Sequence, residues 1–237
     1  MRMATRNDAP DWPRRAALVS LAATLSGCGA FQAPRDTPRQ TLPQSPPGAR
    51  ERAPSAEAIA RRNPQISPAV ARAIAHVLRQ PSDHARAAVV DFSAHSSTPR
   101  FHLVDRASAR VLQSLRVAHG DGSEGPRNDG YAEVFSNVPA SNTSSLGLYR
   151  TAETYASQAF PGLAMRLDGL SPTNSNARSR FIVIHAARYM EPESWNGKKA
   201  ARPGLSDGCF AFSAADRDTV LSTLAGGALI YAVFEKP

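Results

Sequence analysis

The sequence lacks most of the residue patterns that mark common enzyme sites. Its only two cysteines, Cys28 and Cys209, form no CxxC pair, and its six histidines contain no HExxH spacing, so no metal site is predicted. A P-loop and a dinucleotide-binding fingerprint are also missing, and no cofactor is expected. The absence of a GxSxG nucleophile elbow argues against a serine hydrolase of that type.

Acidic residues are in a minority, and the 237-residue chain has a formal net charge of +8. The part before Asp91 contains 13 Lys and Arg against 6 Asp and Glu, whereas the rest contains 15 against 14. The positive excess therefore belongs to the N-terminal part and does not form a basic stripe with interleaved aromatic residues. Nucleic acid is not an expected partner.

The N-terminus contains an export signal. Arg14-Arg15 precede ten uncharged residues at 16–25, which are too few to span a bilayer and suit a signal-peptide core. The run ends in Leu25-Ser26-Gly27-Cys28, which resembles a bacterial lipobox. We predict a signal peptide over 1–27, a lipid anchor on Cys28 and a periplasmic location at a membrane, most simply the outer membrane. An ordinary secretory leader cleaved near Ala30 is the alternative.

The residues after the leader divide into three parts. Six prolines between residues 32 and 54 indicate a Pro-rich linker, placed over 28–66. Ser67-Pro68 followed by apolar residues on one face predicts a helical spacer over 67–86, with packing on the main domain as the alternative. The remaining residues, 87–237, are predicted to form the catalytic domain.

Short apolar runs separated by polar turns predict about seven strands in this domain, the first three as an antiparallel meander. They lie at 87–92, 101–105, 111–119, 146–151, 163–168, 181–185 and 228–234. Ser213 and Asp216 indicate the start of a helix that Gly226-Gly227 end. The predicted fold class is β-rich α+β, a mixed sheet or sandwich with one or two helices. The long polar segment 119–145 is predicted to be an ordered loop beside the site.

Cys209 and His185 are the candidate nucleophile and base. If Cys28 carries lipid, Cys209 has no intramolecular partner in an oxidising compartment, which favours a reactive thiol. His185 ends an apolar strand, and Cys209 follows a Ser206-Asp207-Gly208 turn whose amides could stabilise an oxyanion. The alternative to a catalytic pair is that Cys209 is a buried structural thiol and His185 a core histidine.

A series of short motifs, in one order from Val89 to Ala214, resembles the murein L,D-transpeptidase catalytic domain family, in the branch related to YkuD-type enzymes. The motifs are VVDF at 89–92, AHG at 118–120, FSNVP at 135–139, SSLGLY at 144–149, TAETY at 151–155, LDGL at 167–170, NARSR at 176–180, IVIHAA at 182–187 and SDGC at 206–209.

The resemblance implies a β-rich transpeptidase fold with Cys209 as nucleophile, His185 as base, and Gly208 and Ser206 beside them. It implies cleavage of the L,D peptide bond before the terminal D-alanine of a peptidoglycan stem tetrapeptide, through a thioester that passes to an amine or to water. By the same resemblance, substrate contacts are expected from the motif residues His119, Asn137, Ser145, Arg178 and Arg180. The orienting partner of His185 stays open between His119, Ser206 and a backbone carbonyl, and a monomer is expected.

The sequence also departs from the family pattern. Ala186 follows His185 where glycine is usual, and the arginine expected near the cysteine turn is missing, with Arg202 the nearest substitute. Asp207 places a carboxylate beside the thiol and is expected to raise its pKa. An L,D-carboxypeptidase and a non-catalytic peptidoglycan-binding lipoprotein therefore remain as alternative functions.

Overall fold

A single mixed sheet of eight strands carries the fold in the computed structural model, which describes residues 53–195 and 202–235. The strand order is β3-β2-β1-β8-β4-β5-β6-β7. The strand bounds are β1 Arg86–Asp91, β2 Phe101–Asp105, β3 Val111–Leu115, β4 Gly147–Ala156, β5 Leu163–Gly169, β6 Val183–Ala186, β7 Phe210–Phe212 and β8 Leu229–Val233. The predicted signal peptide, Cys28 and the linker as far as residue 52 lie outside the described residues.

The sheet is antiparallel except at two places. Strands β1 and β8 pair in parallel, and so do β6 and β7 at one edge of the sheet. The order β3-β2-β1, with antiparallel pairing throughout, confirms the predicted meander. The predicted α+β class with a mixed sheet is confirmed as well.

Both faces of the central strands are covered, which explains the unbroken apolar run of β1. Its residues alternate, with Ala88 and Val90 in one core and Ala87 and Val89 in another on the opposite face. Because successive side chains of a strand point to opposite faces, a strand that is buried on both sides must be apolar at every position.

Two helices cover one face, α1 at Ala56–Arg62 and α2 at Pro68–Arg79. Ser67 caps α2 by accepting a hydrogen bond from the Val70 N–H, as the Ser-Pro pattern predicts. The helix ends at Arg79 rather than near residue 86, because Pro81 cannot continue it. Since α2 packs directly on β1 and β8 in one core, it belongs to the domain and does not act as a separate spacer.

Helix α1 lies inside the range that we assigned to the linker. Its Ile59 is fully buried in the core shared with α2. The following Asn63 donates to the carbonyls of Ile59 and Ala109 and accepts from the N–H of Val111 at the start of β3. The domain therefore begins before residue 60. A helix of seven residues is too short to show a helical period in the sequence.

The helices α3, Pro192–Trp195, and α4, Ala214–Leu224, follow β6 and β7. Ser213 caps α4 by accepting from the N–H of Asp216, which confirms the predicted start. Strand β6 begins two residues later than predicted, because Phe181 has a φ of 56° and turns the chain. No helix among residues 53–195 and 202–235 is long and apolar enough to cross a membrane.

The long segment between β3 and β4 is ordered and contains a short 3-10 helix, Asp121–Ser123. It joins the turn before Cys209 directly, because Gly120 and Ser206 form a β-bridge. Phe135 packs on the core against the ring of Phe92, whereas Tyr131 is 43% exposed. Tyr131 still contacts another part of the chain, because its ring packs edge-on against His95 with centroids 5.0 Å apart.

Candidate active site

The turn that leads into Cys209 is held by hydrogen bonds. The Ser206 N–H donates to the His119 carbonyl at 3.0 Å, while Ser206 Oγ donates to the Cys209 carbonyl at 2.8 Å and accepts from the Gly208 N–H at 3.2 Å. Gly208 has a φ of 104°, and a Cβ there would lie 2.5 Å from the carbonyl oxygen of Thr143. Only glycine fits this position without displacing the neighbouring backbone.

The Cys209 thiol is buried, with 8% of the residue exposed. Its Sγ lies 3.5 Å from the carbonyl oxygen of Phe181, to which it donates. Burial raises the pKa of the thiol to about 11, Asp207 acts in the same direction, and the Val183 N–H and Arg180 oppose them. In this state the sulfur is therefore a protonated thiol, since a free cysteine already ionises only near pH 8.5.

His185 enters the site from β6, directly beside the strand that follows the cysteine. In the parallel pairing of β6 with β7, His185 lies opposite Ala211, so Cys209 comes just before the paired segment. The imidazole Nδ1 lies 2.9 Å from the carbonyl oxygen of Ala186. Because a carbonyl can only accept, Nδ1 carries the proton and Nε2 presents its lone pair. A backbone carbonyl is thus the orienting partner that the sequence left open.

The imidazole of His185 is kept neutral by its surroundings. Only 3% of the residue is exposed, and the ring of Phe160 stacks on it with centroids 3.7 Å apart. Burial lowers the pKa of His185, and Arg217 also lowers it, against the opposing effects of the Ala186 carbonyl and Asp207. No hydrogen bond between the imidazole and the thiol occurs among the described residues. Cys209 and His185 are therefore present as a protonated thiol and a neutral imidazole.

Cys209 and His185 line one cavity of about 530 Å³. Ser206, Asp207 and Arg180 also lie in its wall, and the rest of the wall is largely apolar or aromatic. A buried thiol, an imidazole with a free Nε2 and a cation around one cavity can together perform nucleophilic acyl transfer.

A family model described as an L,D-transpeptidase catalytic domain matches residues 61–233. The chain belongs to this family. The matched range begins at the last two residues of α1 and includes all of α2. A search of curated protein sequences found no significant match.

Solved L,D-transpeptidases resemble the chain at low identity. One from Mycobacterium smegmatis is 13% identical, with a TM-score of 0.36 over 63% of this chain and 58% of that one. LdtMt1 in complex with imipenem is 15% identical, with a TM-score of 0.35 over 63% and 59%. One from Stackebrandtia nassauensis is 12% identical, with a TM-score of 0.37 over 76% and 77%.

Of the two arginines in the transpeptidase-like NARSR motif, the structure brings only Arg180 to the cavity. Its guanidinium donates to the carbonyls of Ser136 and Thr143, both at 2.7 Å. Within the described part of the chain no carboxylate lies at ion-pair distance from it. Arg178 is exposed and pairs instead with Glu153 and Asp168. The arginines in the cavity wall are therefore the half-buried Arg180 and the exposed Arg188, and Arg202 is not among them.

Two further residues that the resemblance assigned to the substrate serve the scaffold in this structure. Ser145 is 1% exposed, and its Oγ lies 2.8 Å from the hydroxyl of Tyr149. Asn137 joins its own loop to the segment before β6, since it donates to the carbonyl of Pro172 and accepts from the N–H of Asn176. Neither lies in the cavity wall.

His119 is also a scaffold residue. Its fully buried imidazole lies between the guanidinium of Arg100, 2.8 Å from Nδ1, and the carboxylate of Glu124, 3.0 Å from Nε2. Burial, followed by the charge of Arg100, lowers the pKa of His119 to about 3. Its side chain cannot reach a substrate here; its carbonyl holds Ser206 instead. Arg202 pairs with the same Glu124 at 3.1 Å.

The Gly208 N–H, which the sequence suggested as a donor to an oxyanion, instead donates to Ser206 Oγ in this structure. The sequence did not indicate several residues of the cavity wall, among them Phe160, Phe181 and Tyr189. Their positions give no local signal, since an aromatic residue in a turn marks no chemistry by itself. Across the described ranges, no group of three or more His, Cys, Asp or Glu side chains is arranged to hold a metal ion.

Proposed function

We propose that this chain is an L,D-transpeptidase that acts on peptidoglycan stem peptides, with Cys209 as the nucleophile and His185 as the base. The observation that carries the proposal is the arrangement of His185, whose Nδ1 is bound to the Ala186 carbonyl while the ring lies in the same cavity as the thiol. This arrangement leaves Nε2 as the one nitrogen able to accept a proton.

In the proposed reaction Nε2 of His185 takes the thiol proton, and the Cys209 thiolate attacks the carbonyl carbon of the diaminopimelate residue. The tetrahedral intermediate collapses as the imidazolium returns the proton to the leaving D-alanine amine, which leaves a thioester on Cys209. An acceptor amine then gives a proton to Nε2 and attacks the thioester carbonyl. The C–S bond breaks, and the imidazolium returns the proton to the Cys209 sulfur, which restores the thiol. The thiol must leave its hydrogen bond with the Phe181 carbonyl for the first step.

Arg180 is proposed to bind the terminal carboxylate of the donor stem peptide. Its guanidinium lies in the cavity wall and bonds neutral oxygens of Ser136 and Thr143, so its charge has no anionic partner among the described residues. A half-buried cation of this kind is stabilised by an incoming carboxylate, because a charge-assisted hydrogen bond forms where water is partly excluded.

The first experiment asks whether Cys209 is an active nucleophile. The protein is incubated with a stem tetrapeptide and, separately, with imipenem, because a structural relative was solved with that compound. Intact mass of the wild-type chain is expected to show a single acyl adduct that Cys209→Ala does not form. Wild-type protein without adduct and without product, under conditions where it is folded, would refute the proposal.

The second experiment tests Arg180 with Arg178 as its matched control. The kcat/KM of wild-type enzyme is compared for a tetrapeptide with a free C-terminal carboxylate and for its C-terminal amide. We expect a preference of about 10- to 100-fold for the carboxylate, because hydrogen bonds to charged groups contribute about 1.5–3 kcal/mol. Arg180→Gln should remove this preference and Arg178→Gln should retain it. An equal preference in all three proteins would contradict the assignment.

An L,D-carboxypeptidase is the second candidate within the same chemistry, in which water takes the place of the acceptor amine. A non-catalytic wall-binding protein is favoured by one observation, the raised pKa of the Cys209 thiol. Products separate the three functions. Cross-linked dimers indicate transpeptidation, tripeptide without dimers indicates hydrolysis, and tetrapeptide retention on peptidoglycan without turnover indicates binding alone.

We also propose that the protein is anchored in the periplasm by lipid on Cys28, which lies outside the described residues. The lipobox-like Leu25-Ser26-Gly27-Cys28 and the short apolar run before it support this. Labelled palmitate should enter the wild-type protein and not Cys28→Ala, and the variant should leave the membrane fraction. Equal labelling of both proteins would contradict the anchor.

A further inference from the structure

The turn between β4 and β5 reaches across to the candidate base. Three of its residues, Ala159, Phe160 and Pro161, form part of the wall of the cavity. The phenyl ring of Phe160 lies face to face on the imidazole of His185, with centroids 3.7 Å apart and an angle of 19° between the planes. Nothing in the proposed reaction uses this contact.

The turn is held in place from two directions. Within it, Ser157 Oγ accepts from the N–H groups of Ala159 and Phe160, at 3.2 and 3.0 Å. From outside, Arg217 of α4 donates to the carbonyl of Pro161 at 2.9 Å and to the carbonyl of Leu163. Arg217 is 7% exposed, so a buried guanidinium anchors an otherwise surface-exposed turn to the body of the domain.

We propose that Phe160 is a positioning residue for His185, and that Arg217 holds Phe160 in that position. This inference rests on the proposed function, because it gives His185 the role of base. The Nδ1 bond to the Ala186 carbonyl fixes one edge of the imidazole. The stacked phenyl ring covers one face and blocks rotation about the Cβ–Cγ bond, since a turning imidazole would collide with it. Nε2 therefore stays directed into the cavity.

The phenyl ring also keeps water from one face of the imidazole. Burial is the main cause that lowers the pKa of His185; Arg217 adds to it, and the Ala186 carbonyl and Asp207 oppose it. Arg180, Arg188, Tyr189 and Cys209 face the same cavity. Exposure of the ring to water by removal of Phe160 should therefore raise the imidazole pKa toward its ordinary value of about 6.5.

Three variants test the positioning role: Phe160→Ala, Phe160→Tyr and Leu163→Ala. Leu163 begins β5 on the same hairpin and is 47% exposed, so it controls for loss of an apolar side chain nearby. Phe160→Ala should lower kcat by about 10- to 100-fold, because misplaced catalytic groups cost rates of that order, with little change in KM. It should also move the acidic limb of the pH–rate profile to higher pH. Phe160→Tyr should restore both, and Leu163→Ala should change neither.

A measurement without turnover separates this inference from the proposed function. Histidine-labelled Cys209→Ala protein is titrated by NMR with and without Phe160→Ala, and the His185 signal is followed. A higher His185 pKa in the double variant supports the inference. The positioning role is refuted if Phe160→Ala changes neither the His185 pKa nor kcat, and this holds even if Cys209→Ala is inactive. The proposed function is refuted by a different result, namely that Cys209→Ala remains active.

Arg217→Ala tests the anchor in the same assays. Because the charge of Arg217 itself lowers the His185 pKa, the variant is also made in the Phe160→Ala background. If Arg217 acts through Phe160, its replacement should lower kcat in the wild-type background and have little further effect on kcat in the Phe160→Ala background. Equal fold losses in both backgrounds would show that Arg217 does not act through Phe160.

Discussion

Replacement of Gly208 by alanine should impair both the stability and the reactivity of the Cys209 turn, and Gly226 provides a matched control. Both glycines have positive φ, 104° at Gly208 and 98° at Gly226. They differ in the space around them. A Cβ at Gly208 would lie 2.5 Å from the carbonyl oxygen of Thr143, whereas at Gly226 nothing lies within 4 Å.

The comparison separates two costs. An L-residue in the left-handed region costs about 1–2 kcal/mol, and this cost is common to both positions. The contact with the Thr143 backbone occurs only at Gly208, and overpacking of this kind adds about 1–3 kcal/mol. We therefore expect a loss of about 1–2 kcal/mol of unfolding free energy for Gly226→Ala, and about 2–5 kcal/mol for Gly208→Ala.

The effect on reactivity follows from the same contact. The Thr143 carbonyl that would be displaced also accepts a hydrogen bond from Arg180 at 2.7 Å, so a shift there disturbs the cavity wall beside the thiol. Gly208→Ala should therefore slow acylation by imipenem, while Gly226→Ala should not. Urea unfolding at one pH and intact-mass time courses measure the two effects. Equal losses of stability in the two variants, or wild-type acylation in Gly208→Ala, would refute the reasoning.

Three further predictions concern the supporting structure. Arg100→Ala should destabilise by about 3 kcal/mol or more in urea unfolding, because Ala94 O, Val117 O and His119 Nδ1 lose their donor and each buried unsatisfied acceptor costs about 1–3 kcal/mol; a loss below about 1 kcal/mol would contradict this. Ser213→Ala should lose about 1 kcal/mol with the helix cap, and exposed Ser222→Ala should change stability little; equal losses would argue against capping. Burial lowers the pKa of His119 to about 3 in the folded state, whereas in the unfolded chain it is about 6.5. Between these pH values only the unfolded chain binds the proton, so the free energy of unfolding should fall as the pH falls from about 6.5 toward 3. His119→Asn should make that dependence shallower in pH-resolved unfolding, and an unchanged slope would exclude His119 as a cause.

Features that depend on a local pattern could be predicted from the sequence. Each predicted strand has its counterpart in the sheet, because short runs rich in strand-forming residues between polar turns favour extended backbone. The starts of α2 and α4 were predictable from Ser67 and Ser213, since a capping serine satisfies nearby backbone N–H groups. Cys209 and His185 were singled out by chemistry and by strand position, and they do lie in one cavity.

Features that depend on tertiary contacts could not be predicted. The motif residues Asn137, Ser145 and His119 give the same sequence signal whether they face a substrate or brace a loop. Their burial and partners decide between these roles, and those partners lie up to 39 residues away for Asn137. The stack of Phe160 on His185 has the same origin, because no pattern within a turn indicates which distant ring it will meet.

Asp207 bears less on the chemistry than its place beside the cysteine suggests. Proton transfer from the thiol to the imidazole depends on the difference between their pKa values. Asp207 raises the pKa of Cys209 and also that of His185, so its effects on this difference oppose each other. Burial acts differently, because it raises the pKa of the thiol and lowers that of the imidazole, and both changes disfavour the ion pair. In the proposed reaction, burial of the two groups therefore opposes activation of the thiol more than Asp207 does.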